Sequence, residues 1–269
     1  MSDLSSVSNI YPNQSYYLNN PNNRYINVST QPPQDNTVKT VATVGLLQAI
    51  ALGLPKVSKW FGQKLMSGKE FTTSDNVYKT ANHMVNSSKL NILVDFIDSN
   101  NIRKYPQNLH DALEPVARGQ NAFYMDKLKL AVAPKSKPSL ILHELGHAIN
   151  AKKGGILKFF QKSRMYTASI PTALFVLNEM FKTQKSPYDD RKNFIERNAG
   201  KIGFLAFMPT IFEEGLASFR GIKAAKKVLP NVKLGVLKRN YFFAWMTYVL
   251  AGIGLGVASK LAVTEIQTK

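Results

Sequence analysis

The chain has 269 residues, 44% of them apolar, enough for one large domain or two small ones around a sizeable core. It contains no cysteine, which excludes a disulfide scaffold and leaves His, Asp and Glu as the donors for any transition-metal site. Lys and Arg number 35 against 17 acidic residues, a formal charge of +18 that attracts polyanions. No nucleic-acid motif accompanies the charge, and many lysines flank apolar stretches. An anionic lipid surface is therefore the expected partner, and nucleic acid is not.

In chain order, residues 1–37 are rich in Asn, Ser, Tyr, Pro and Gln without a sustained apolar period, so a disordered polar tail is expected, with no secretory signal. Two glycosylation-acceptor triplets, at Asn13 and Asn27, are chance matches in so Asn-rich a stretch. Residues 38–54 are apolar apart from Lys39 and Gln48 and are followed by Pro55 and a basic stretch to Lys69. This segment reads equally as a transmembrane, an interfacial or a core helix.

Ser74 and Asp75 cap a helix to about Val85. Residues 90–97 have strand character, and 122–133 contain a second strand in which Leu128, Leu130 and Val132 alternate with Lys127 and Lys129. Pro134 and Pro138 break the chain, and Ser139 can cap a helix over 139–152. Residues 165–181 and 200–212 are apolar, with Pro171 and Pro209 inside them, and read as kinked membrane helices or buried core helices. Residues 213–229 read as a basic amphipathic helix ending at Pro230. Residues 241–258 carry no charge and are the best membrane span, with Lys238, Arg239 and Lys260 flanking them.

The chemistry sits in H-E-L-G-H at 143–147. On a helix, residues four apart share a face, so His143 and His147 can bind one Zn²⁺. Glu144, next to the first ligand, can take a proton from metal-bound water and hand it to the leaving amine. The chain has four histidines, and two of them stand in this arrangement. A catalytic zinc takes three protein ligands and keeps a place for water. The third is expected in E-E-G-L-A-S-F-R-G at 213–221. Glu214 is favoured, because Ala217 and Ser218 lie one turn on and let two helices approach; Glu213 is the fallback. Arg220, Tyr166 and Tyr241 remain open as oxyanion-stabilising donors.

These residues resemble the gluzincin group, H-E-x-x-H peptidases with a glutamate as third ligand. Within it they most resemble the membrane-bound family of the CAAX prenyl endopeptidase and the heat-shock membrane protease. Asn121-Ala122-Phe123, L-H-E-L-G-H-A at 142–148 and E-x-x-A-S at 214–218 carry the resemblance, over about residues 75–222.

This resemblance, added to the elements read above, implies a mainly α fold with a small β-sheet (α+β), a zincin-like core and apolar, membrane-inserted helices. It divides the chain into the tail at 1–37, an apolar helix plus basic linker at 38–69, a zincin-like metallopeptidase domain at 70–230, and a C-terminal transmembrane helix and tail at 231–269. It further implies one Zn²⁺ per chain, a peptide or membrane-protein substrate, and a location in a bacterial inner membrane or its equivalent. Strand 127–133 would take substrate along a free edge. Where this chain has Ser218 the family commonly has aspartate, so a carboxylate that would orient a zinc-binding histidine is missing. The lysine-rich stretch 223–239 would put the active site on the cytoplasmic side. The run from His143 also resembles the site-2 proteases, but no aspartate follows Asp190 to complete their ligand set. The competing class is a non-catalytic membrane scaffold on the same fold, with or without zinc.

Overall fold

The computed structural model describes residues 37–183 and 192–264. The polar tail read over 1–37 lies outside them, apart from Thr37, which opens the first helix. The described chain is mainly helical with one three-stranded sheet, as expected. The helices are α1 (Thr37–Ser67), α2 (Ser74–Ser87), α3 (His110–Ala117), α4 (Leu140–Lys153), α5 (Gly155–Ser163), α6 (Ile170–Thr183), α7 (Phe194–Val228) and α8 (Gly235–Ala262). The strands are β1 (Leu93–Ile97), β2 (Phe123–Met125) and β3 (Leu130–Pro134), in the order β1-β3-β2.

β3 lies parallel to β1 and antiparallel to β2, and all five of its residues are buried. Its side chains alternate between two cores. Leu130 and Val132 join Ile97, Leu113 and Val116 beneath α3, whereas Ala131 and Ala133 join the Leu142 and Leu145 cluster beneath α4. Two alanines on that face leave room for α4 to sit close to the sheet.

Strand 122–133 is thus two strands. Asp126 to Lys129 form a turn closed by the Lys129 N–H donating to the Asp126 carbonyl at 3.3 Å, with Lys129 at φ 50° and Leu128 exposed. The Lys/Leu alternation that suggests one long strand belongs partly to this turn. Both flanks of β3 are paired, so the free-edge role expected of 127–133 is not open to it; the outer edge of β2 is unpaired among the described residues.

Two prolines that were expected to end or divide apolar segments do not. α1 continues through Pro55 to Ser67, and α7 continues through Pro209 as one helix in place of the two read at 200–212 and 213–229. α7 starts at a capping box in which the Asn193 side chain accepts from the Glu196 N–H and the Glu196 carboxylate accepts from the Asn193 N–H. Just past Pro209, Trp245 Nε1 of α8 donates to the Ile211 carbonyl at 3.0 Å.

Small residues bring α7 and α8 together. A Cβ on Gly203 would stand 2.2 Å from Ser259 Oγ, and one on Gly256 would stand 2.8 Å from the Gly200 carbonyl oxygen. Glycine-lined contacts of this kind are favoured between membrane helices. α7 and α8 are both long and apolar enough to cross a membrane. α6, with 14 residues, is too short.

Candidate metal centre

α4 carries H-E-L-G-H, and every residue from Leu140 to Ala151 is buried. A helix enclosed on all sides needs partners around it, and α4 has them in α2, α5, α7, β2 and β3. Its contact with α7 is the closest. A Cβ on Gly146 would stand 2.3 Å from the carbonyl oxygen of Ala217 and 2.7 Å from its Cα. Gly146 and Ala217 therefore set the helix spacing that brings position 214 to positions 143 and 147. Ser139 precedes α4 but does not cap it with its side chain, because its hydroxyl donates to Glu70 at 3.0 Å.

His143 Nε2 lies 3.0 Å from Glu214 Oε2 and 3.0 Å from His147 Nε2, and His147 Nε2 lies 3.5 Å from Glu214 Oε2. Three donor atoms from buried side chains thus form a small triangle. Tetrahedral ligands at about 2.0–2.1 Å from zinc stand about 3.3 Å from one another. The observed edges bracket that spacing, so the residues fit a divalent ion of this size.

The outward nitrogens are also held. His147 Nδ1–H donates to Glu213 Oε1 at 2.8 Å, and His143 Nδ1 shares a hydrogen bond with Ser218 Oγ at 3.0 Å. Such partners fix ring orientation and leave each Nε2 lone pair aimed at the centre. Glu213, the fallback ligand, is turned to the far side of His147. Its Oε1 also accepts from Asn150 Nδ2 and Gln161 Nε2, each at 2.9 Å. A carboxylate thus backs His147 from position 213, and a hydroxyl backs His143 from position 218. Burial opposes protonation of His147, but its bonds to Glu213 and Glu214 prevail and push its pKa up to about 10.

Glu144 is buried and lines a cleft of about 580 Å³ together with His143, Tyr241 and Tyr248. Burial raises its pKa, against the lowering effect of the two histidines. On the other side the cleft is bounded by Lys59, Gln63 and Met66 of α1 and by Gln120, Asn121 and Ala122 leading into β2.

Two of the three residues left open as oxyanion donors already use a polar group within the protein. Tyr241 donates to the Ser139 carbonyl at 2.7 Å, Arg220 Nε donates to Asn150 Oδ1 at 2.6 Å, and Tyr166 is exposed.

Two residues at the site were not singled out by sequence. Tyr248 follows Tyr241 on the same face of α8, a spacing that would have revealed it. Arg164 Nη2 pairs with Glu213 Oε2 and lies 2.5 Å from Glu214 Oε1. It comes from a 3-10 turn at Arg164–Ser169, and nothing local marks it.

Replacing Ser218 with Ala should free His143 Nδ1 and weaken metal binding at the site about 10- to 100-fold, as read by chelator competition. No known protein family, characterised protein or solved structure matches the chain.

Proposed function

We propose that the protein is a membrane-associated zinc endopeptidase in which His143, His147 and Glu214 hold the metal and Glu144 is the acid–base residue. The triangle of two Nε2 atoms and one Oε2 atom, with Glu144 beside it at the wall of a cleft, carries this reading. Zinc in such a site supplies a Lewis acid that polarises a carbonyl and makes a water acidic near neutral pH.

The chain's own residues do the rest. Glu144 accepts the proton of the attacking water and delivers it to the departing amine nitrogen. Its raised proton affinity suits both halves of that transfer. Ser218 and Glu213 keep the imidazoles oriented while charge moves. The outer edge of β2, reached from Asn121 and Ala122 at the cleft wall, offers an extended peptide main-chain hydrogen bonds.

Membrane association rests on α7 and α8. In its most apolar stretch α8 is only 22% buried, unlike the core helix of a soluble protein. Phe175 of α6 and Leu205 and Phe212 of α7 also turn outward. Glu213 and Glu214 lie inside α7, where unpaired charge is disfavoured and a functional role is the default reading. Lys223 follows Glu214 about 14 Å further along the helix axis, and by the positive-inside rule this basic end supports a cytoplasmic active site.

The test is the metal content of protein purified under metal-replete conditions. One zinc per chain is expected, lost in His143→Ala and in Glu214→Gln. A wild-type protein without stoichiometric zinc would instead support the scaffold reading, for which the ion pair of Arg164 with Glu214 already supplies one positive charge.

A further inference from the structure

We propose that Arg164 is a positioning residue that holds Glu214 as a one-oxygen metal ligand and ties it to Glu213. The assignment rests on the metal-centre reading above and concerns a residue outside the metal-binding motif.

The two oxygens of Glu214 have different surroundings. Oε2 faces both imidazoles, at 3.0 Å from His143 Nε2 and 3.5 Å from His147 Nε2. Oε1 faces away, 2.5 Å from Arg164 Nη2. A carboxylate can offer a cation one oxygen or both. Here the guanidinium occupies one of them.

The same Nη2 also pairs with Glu213 Oε2, so one nitrogen ties the ligand to the carboxylate that orients His147. Arg164 is itself held, with its guanidinium 5.7 Å from the centre of the Tyr248 ring.

Charge supplies the second argument. Glu213 and Glu214 are adjacent in α7 and both fully buried. Buried charge of one sign is disfavoured unless balanced. Arg164 sets one cationic nitrogen against both carboxylates, and its side chain is 35% exposed, so it reaches the site from the rim.

The test uses the full-length protein in detergent, loaded with Co²⁺, whose visible absorption is strong with four ligands and weak with five or six. Arg164→Gln frees Oε1 to join the metal and should roughly halve the visible band while cobalt remains bound. Arg164→Lys should keep the wild-type band, because a single nitrogen serves both carboxylates and an ammonium can take its place.

Where Arg164→Gln alone does not fold, the pair Arg164→Gln/Glu213→Gln removes the guanidinium together with one buried carboxylate that it faces. It is read against Glu213→Gln and should again show the weaker band. A band unchanged in the pair relative to Glu213→Gln overturns the assignment, and Arg164 is then a rim ion pair. A wild-type protein that binds neither cobalt nor zinc instead removes the metal-centre reading, and this assignment with it.

Discussion

Glu144→Gln is expected to keep one zinc per chain and to lose peptide hydrolysis by about 10²- to 10⁴-fold, the usual contribution of a positioned acid–base group. Glutamine has the shape of glutamate but cannot take a proton from water. Zinc should be retained, because the donor triangle consists of His143 Nε2, His147 Nε2 and Glu214 Oε2 and does not include Glu144. Cleavage of an unfolded peptide or membrane-protein substrate, measured alongside zinc content, checks both halves. Wild-type cleavage in the variant would refute the mechanism even if zinc is present.

Gly146→Ala is expected to damage the site without touching a ligand. The new Cβ would stand 2.3 Å from the Ala217 carbonyl oxygen, 2.7 Å from its Cα and 2.8 Å from its carbonyl carbon. All three are main-chain atoms, so no rotamer change relieves the clash, and α4 and α7 must separate. Overpacking of this kind costs about 1–3 kcal/mol. Because Glu214 and Ser218 flank Ala217 on α7, the same displacement pulls Oε2 away from the imidazoles and Ser218 Oγ away from His143. Thermal unfolding should shift downward, and zinc should be lost more readily to a chelator than in wild type. Ala217→Gly should not rescue the variant, since it leaves the clashing atoms in place. Wild-type zinc retention in Gly146→Ala would mean that the helix spacing does not govern the site.

Several features were legible in the sequence because they depend on neighbours along the chain. H-E-L-G-H reads directly from helical spacing: i and i+4 share a face whatever surrounds the helix. The mixed class, mainly helical with a small sheet, follows from periodicity. The long uncharged run at 241–258 marks α8 by composition alone. The choice of Glu214 over Glu213 rested on small residues one turn on. The structure turns Glu214 toward His143 and His147 and Glu213 toward the outer nitrogen of His147, since adjacent positions on a helix point about 100° apart.

Other features were decided only by the tertiary structure. Whether Pro55 and Pro209 end a helix depends on the packing around them, and the long helices through both pack against α8. The division of 122–133 into two strands and a turn is set by pairing with β1 and β2, which alternation within one segment cannot show. Arg164 reaches the site only because the 3-10 turn after α5 packs against α7, and Ser218 only because α7 packs against α4. Local sequence shows which donors can share a face. Which carboxylate, hydroxyl and guanidinium meet them is settled by helices distant in sequence packing at a spacing that Gly146 permits.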